Sequence, residues 1–283
     1  MSFKQRAMRL AIGFMRTGIS VLGGRRSALV SARLVEGLAP VVSQETEHGK
    51  ILFYCPGVIP EWRARTLLTK EPETIQWIDS FRDNDVMWDI GANVGVYTLY
   101  AASRNVEVVA FEPAPGNYYV LNRNIEINGM DDRVSALCVA FNDSTKMAPL
   151  FMSSTALGDA ENSFAEAVNW KGEPLKHSFC QAMIGFSIDD FLRQFNPPFP
   201  NHIKIDVDGI EDRIIEGAGN TLSNERVRSV LVELDSSRKG YCEGVIQRIE
   251  KAGLVFWKKE HAPMFDNSEY SSSDNYFFVR PKP

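Results

Sequence analysis

The feature that most constrains this chain is a regular alternation, from residue 86 onward, of short apolar runs and longer amphipathic stretches. Val86 to Ile90, Val106 to Phe111, Val134 to Ala140, Ile203 to Val207 and Val230 to Leu234 read as strands buried on both faces. The stretches around Tyr97–Ala101, Tyr118–Asn128, Asp189–Phe195, Asp212–Ala218 and Val245–Ala252 read as helices. Strands separated by helices imply a mainly parallel sheet covered on both faces, an α/β fold of the Rossmann-like kind. Leu254–Trp257 and Tyr276–Val279 are expected to close the sheet as an antiparallel hairpin. Residues 141–186 break the pattern and are expected to be irregular, with a strand pair around Pro149–Met152. Upstream, the pattern predicts helices over 3–20, 26–38, 59–69 and 72–82 and a short strand at Lys50–Tyr54. The expected division is a basic, helical accessory region and cap over 1–80 and an α/β domain over 81–283.

Composition excludes several classes. With 283 residues, 44% of them hydrophobic and 24% charged, the chain can bury a full core without staples. Cys55, Cys138, Cys180 and Cys242 form no C-x-x-C pair and no zinc spacing, so they read as reduced residues of a cytoplasmic protein. The net charge of −5 argues against nucleic acid as a partner. That charge is unevenly placed. Residues 1–40 hold seven Lys and Arg against Glu36 alone, a balance of +6, which leaves −11 for the remainder. Arg9 and Arg16 interrupt the apolar residues of this arm, which excludes a bilayer span and a cleavable signal sequence. Two readings stand: an amphipathic helix packed on the domain or partly disordered, or a helix in residues 1–35 lying on an anionic membrane, peripheral on its inner face. The sequence does not specify an oligomeric state.

The first strand of the α/β region runs into Asp89-Ile90-Gly91-Ala92-Asn93-Val94-Gly95. Glycines at such a strand end allow a sharp turn and aim a helix N-terminus at a ligand. Glu112 ends the second strand 17 residues after Gly95, close to the ~20 expected of an acid that binds a ribose hydroxyl pair. The loop therefore fits a nucleoside-bearing cofactor. It departs from G-x-G-x-x-G, and a carboxylate at Asp89 would repel a pyrophosphate. Asp89 suits an ammonium group instead, such as that of S-adenosylmethionine. A nicotinamide-dependent oxidoreductase is the rival reading, and a non-catalytic protein with a cofactor-shaped pocket, acting through its basic arm, is the third.

A second cluster lies in His202-Ile203-Lys204-Ile205-Asp206-Val207-Asp208-Gly209-Ile210-Glu211. Lys204 and Asp206 are two apart and share a sheet face. A lysine in a central strand must be paired. Glu233 ends the next strand, so adjacency would bring it to Asp206. Close carboxylates raise one pKa and can make a general base. Such a cluster equally suits a divalent cation, or an ion-pair network that braces the sheet; no metal ligands are assigned. The expected catalytic group is Asp206, as base or hydroxyl-orienting residue, tuned by Lys204, Glu211 and Glu233.

With Trp88–Gly95, Phe111-Glu112-Pro113, Ser187–Leu192 and Ile203–Glu211 in view, residues 65–280 resemble the FkbM-type methyltransferases of the Rossmann-like class I group. The family more often has Glu where this chain has Asp208. The resemblance implies a seven-stranded sheet with an antiparallel last strand and S-adenosylmethionine as cofactor. It implies O-methylation of a hydroxyl on a small molecule, sugar or glycan, or lipid-linked saccharide. Carried over, the cofactor contacts are Asp89, Gly91, Asn93, Gly95 and Glu112, with Asn142 or Asp143, after the third strand, near the adenine. Trp62, Trp77, Phe164 and Trp170 are candidates to stack on a sugar or to pack the core.

Overall fold

The computed structural model describes residues 3–281. It divides into two compact units, Met1–Pro40 and Val41–Pro283. The first contains α1 (Phe3–Ser20) and α2 (Gly24–Leu38), separated at Gly23, whose φ of 76° breaks the helical path. In the second, β1 (Val41–Thr46) and β2 (Gly49–Tyr54) form an antiparallel hairpin. Next come α3 (Val58–Arg65) and α4 (Pro72–Asp79), the latter opened by proline. The boundary anticipated near residue 80 falls inside this unit, just after α4.

Then β3 (Val86–Ile90), α5 (Val96–Ser103), β4 (Glu107–Phe111), α6 (Pro115–Asn128) and β5 (Val134–Leu137) alternate as the pattern requires. Strands β6 (Ala140–Phe141), β7 (Lys146–Met152), β8 (Asn162–Phe164) and β9 (Phe179–Phe186) make an excursion. The alternation resumes with α7 (Ile188–Phe195), β10 (His202–Ile205), α8 (Glu211–Glu216), α9 (Gly219–Ser223), β11 (Ser229–Asp235) and α10 (Lys239–Lys251). Strands β12 (Val255–His261) and β13 (Ser273–Val279) close the chain.

Seven strands form one sheet in the order β12-β13-β11-β10-β3-β4-β5. Only β13, the last strand in the chain, runs antiparallel to its neighbours, as expected. The order reverses between β10 and β3, which leaves a crevice beyond their carboxyl ends. Alternation along β3 builds the core on both faces: Met87 packs with Leu99 and Leu121, and Trp88 with Phe111, Phe141 and Phe191. Local signals fix the helix ends. The Ser187 hydroxyl accepts from the Asp190 amide at 3.1 Å to start α7, and Gly129, at φ 60°, ends α6.

Two expectations need correction. The third strand stops at Leu137, because Ala140 and Phe141 turn away to pair with Gly185 and Phe186. Residues 141–186 hold more than one strand pair: β6 to β9 form a four-stranded sheet in the order β6-β9-β7-β8, joined by irregular segments.

Candidate functional site

A cavity of about 290 Å³ opens beyond the carboxyl ends of β3, β4, β10 and β11. Asp89, Gly91, Asn93 and Glu112 line it from one side, and Lys204, Asp206, Glu211 and Glu233 from the other. Three of the sequence-derived residues stand outside its walls. Gly95 sits behind the loop against α6. Asn142 and Asp143 follow β6 into the second sheet: the Asn142 amide donates to the Phe186 carbonyl at 2.9 Å, and the Asp143 carboxylate pairs with Lys146.

Backbone packing dictates the glycines. Gly91 has φ +87°, and a Cβ there would fall 1.9 Å from the Asp206 carbonyl oxygen. Gly95 has φ +84°, and its Cβ would fall 2.4 Å from Leu121 Cδ1. Each glycine thus admits a neighbouring element, and the amides of Gly91 and Ala92 both donate to the Phe111 carbonyl at 3.0 Å, which ties the loop to β4. Asn93, also left-handed at φ 51°, donates its amide to Glu112 Oε2 at 2.8 Å, and the Ala114 amide donates to Oε1 at 2.8 Å. Each Glu112 oxygen keeps a lone pair for a ribose hydroxyl. Burial pushes this carboxyl up to about 7 against the pull of those amides.

Asp89 is 1% exposed. The Thr98 hydroxyl donates to its Oδ2 at 2.6 Å, while Oδ1 is buried with no partner. Asn93 Oδ1 is likewise buried and unpartnered. Unpaired buried acceptors are costly, and two of them on one cavity wall fit an ammonium group, which brings three donors. The wall therefore has the chemistry that the methionine and ribose parts of S-adenosylmethionine need.

The opposite wall is organised by Lys204, 1% exposed and in register with Asp89 on the adjacent strand. Its ammonium pairs with Asp206 and sits 5.3 Å from the centre of the Tyr97 ring. Burial opposes that charge, but Asp206, Asp89 and Glu71 outweigh it and hold Lys204 well above the usual lysine range. Burial likewise opposes ionisation of Asp206, yet Lys204, a hydrogen bond from Glu233 and Lys70 drive its carboxyl far below the usual range. Burial and then Asp206 push the Glu233 carboxyl the other way, well above the usual carboxylate range. Lys204 supplies the positive charge that these acids would otherwise draw from a cation. Among the described residues no three His, Cys, Asp or Glu side chains are grouped so as to hold a metal ion.

Sequence reasoning missed three contributors. Glu71, just before the helix expected over 72–82, is 2% exposed, pairs with Lys70 and accepts from Thr74 Oγ1 at 3.1 Å. Lys70 itself lines the cavity. Asp208 also lines it, accepts from the Asn162 amide at 3.1 Å, and is raised to about 7 by burial and then by Asp206. Its signal was present, since Asp208 occupies a motif position, but no role was attached to it. Glu211, also raised to about 7 by burial, accepts from Tyr241 at 2.6 Å and from the Gly209 amide at 3.0 Å, which ties the turn to α10.

The excursion and the segment before β13 complete the walls. The Asn169 carbonyl would lie 2.4 Å from a Cβ on Gly209, so the excursion closes directly over the turn. Arg238 Nη1 donates to the Trp170 carbonyl at 3.0 Å, and the Tyr270 hydroxyl donates to Glu161 at 3.1 Å. Trp170 and Tyr270 lie 5.3 Å apart at a tilt of 34° and line the cavity with Trp62. Trp77 and Phe164 are core residues, 3% and 2% exposed, and Trp77 Nε1 donates to Ser229 Oγ at 2.9 Å.

Residues 89–256 match the family described as the methyltransferase FkbM domain. Methyltransferase sdnD of Sordaria araneosa is 29% identical over 178 residues, covering 55% of this chain and 68% of that protein. Hexuronic acid methyltransferase AglP of Haloferax volcanii is 25% identical over 173 residues, covering 61% of this chain and 65% of that protein. Among solved structures, an S-adenosylmethionine-dependent O-methyltransferase from Thermotoga maritima overlays at a TM-score of 0.44 with 10% identity, covering 87% of this chain and 78% of that one. The strand order, the acid-lined wall and the family match over residues 89–256 agree: the chain belongs to the FkbM family of S-adenosylmethionine-dependent methyltransferases.

Proposed function

We propose that this methyltransferase acts on a hydroxyl oxygen of a sugar, glycan or other polyhydroxylated small molecule. The observation that carries the reading is the ionised Asp206, fixed at the cavity wall by Lys204 and Glu233. A carboxylate held in one place accepts a hydroxyl proton and so aims the oxygen, and positioning dominates a displacement of this kind. S-adenosylmethionine, when bound, supplies a methyl group on a positively charged sulfur; Asp89, Gly91, Asn93 and Glu112 are the residues that would hold it.

Asp206 is a poor final proton acceptor, because Lys204 holds its proton affinity down. Asp208, on the same wall and raised to about 7, is matched to the task. As the acceptor oxygen gains the methyl group, its proton passes to Asp208. Lys204 holds the proton affinity of Asp206 down, while burial and the neighbouring Asp206 charge raise that of Asp208.

The aromatic faces of Trp62, Trp170 and Tyr270 support a pyranose-sized acceptor. Arg63 also lines the cavity; its Nε donates to the Gly158 carbonyl at 2.7 Å, and it has no acidic partner among the described residues. That arrangement favours an acceptor bearing a carboxylate, and the hexuronic acid methyltransferase named above supports this choice.

The test is methyl transfer from labelled S-adenosylmethionine to a panel of neutral sugars, uronic acids and amines. Hydroxyl methylation is expected, strongest on the uronic acids. Asp206→Asn should lower turnover by about 10²-fold while leaving S-adenosylhomocysteine affinity within about twofold. Turnover on amines alone, or an unchanged Asp206→Asn enzyme, refutes the reading.

A further inference from the structure

The first unit carries a surface that the methyltransferase reaction does not use. Eleven large apolar side chains between Met8 and Leu38 are exposed, Phe14 at 76% and Val21 at 81% among them. No residue of α2 is buried. In a soluble chain an apolar surface this continuous marks a docking site.

We propose that α1 and α2 dock flat onto an acidic lipid surface. The helical repeat places Leu10 and Phe14 together along one side of α1, with Met15 and Ile19 further round the same apolar arc. Arg9 and Arg16 fall on the opposite side, and Arg6 at the boundary between the two. In α2, Val30, Leu34 and Leu38 share one side, Arg26 and Arg33 flank it at its edge, and Arg25 lies opposite. Long arginine side chains suit this arrangement, since their stems extend along the apolar layer while the guanidinium groups reach lipid phosphates.

Charge decides between occupants. Residues 1–40 carry +6 and the rest of the chain −11. A second copy of this segment would set +6 against +6, which opposes self-association through the same face. An acidic membrane attracts the arm and repels the rest of the protein, so the attachment has to come from this segment. No helix of the described residues is long and apolar enough to cross a bilayer, which leaves docking in the interface plane.

The experiment is sedimentation of the full-length protein with vesicles of phosphatidylcholine alone or with 30% phosphatidylglycerol. Binding to the acidic vesicles is expected to exceed binding to the neutral ones by about tenfold or more, and to collapse in 0.5 M salt, where the Debye length falls to about 4 Å. A triple variant, Arg6→Glu, Arg9→Glu and Arg16→Glu, and a double variant, Leu10→Ser and Phe14→Ser, should each lose binding. Both should retain methyl transfer to a soluble acceptor, which shows that the catalytic unit is folded and keeps this result separate from the methyltransferase reading. Equal binding to both vesicle types, no binding to either, or a concentration-dependent dimer that the double variant abolishes each overturns the proposal.

Discussion

The two walls of the cavity handle buried acids in opposite ways. At the ends of β3 and β4, Asp89 and Glu112 are held by Thr98 and by the amides of Asn93 and Ala114. Burial leaves both with raised proton affinity. At the ends of β10 and β11, Lys204 binds Asp206 and lowers its proton affinity, while burial and Asp206 raise that of Glu233. The first wall is built from backbone geometry and the second from charge. The first should therefore fail when a side chain is added, and the second should respond to pH and to charge-neutral replacements.

The largest effect belongs to the backbone-built wall. Gly91→Ala forces an alanine to φ +87° and drives its methyl group into the Asp206 carbonyl. The left-handed conformation alone costs about 1–2 kcal/mol, and the collision, with backbone on both sides, adds to it. The two together should destabilise the fold by at least about 3 kcal/mol. Thermal or urea unfolding measures this, and a variant that unfolds like the parent would mean that the contact between β3 and the turn after β10 is looser than described.

The charge-built wall should instead fail in rate. Asp208→Asn keeps the shape of the turn and can still accept from the Asn162 amide. It removes a carboxyl that titrates at about 7. In the parent, kcat should rise as pH climbs through about 7, because the carboxylate is the active form, and then level off. The variant should lose about 10²-fold at the plateau and lose the rise itself. Glu211 titrates in the same range; a variant that is slower yet keeps the rise would move the proton to Glu211.

The contrast also explains what the sequence could reveal. The wall at β3 and β4 is local in sequence, a strand, a loop and an acid within the 27 residues from Val86 to Glu112, so its members were legible one by one. The pairing of Lys204 with Asp206 was legible for the same reason, since a spacing of two fixes a shared face. Lys70, which lines the cavity, and Glu71 beside it were not, because they lie in the turn before α4, more than 130 residues from Lys204. Asn142 and Asp143 were misplaced because the apolar run Val134–Ala140 looks continuous, whereas its last residue hydrogen-bonds to another sheet. Which acid keeps its proton depends on what Lys204 touches, and spacing does not encode that.

The smallest of these effects tests whether the first wall is wholly a backbone device. Glu112→Gln retains one carbonyl oxygen, so one of the Asn93 and Ala114 amides must face the new NH₂ group. Losing one charged acceptor should weaken S-adenosylhomocysteine binding by about tenfold to a hundredfold at pH 8, from about 1.5–3 kcal/mol per such bond. The sign of the pH dependence follows from a folded pKa of about 7. An ionised carboxylate accepts both ribose hydroxyls, so parent affinity should rise between pH 6 and pH 8. The unliganded fold, in contrast, should lose Glu112's contribution to stability as pH rises from about 4.3 to 7, because the folded state holds this proton longer than the unfolded chain does. Added ligand should consequently raise the melting temperature more at pH 8 than at pH 6 in the parent, and equally at both in the variant. If parent and variant show the same pH dependence, Glu112 serves only to hold the loop, and the ribose hydroxyls bind elsewhere on the wall.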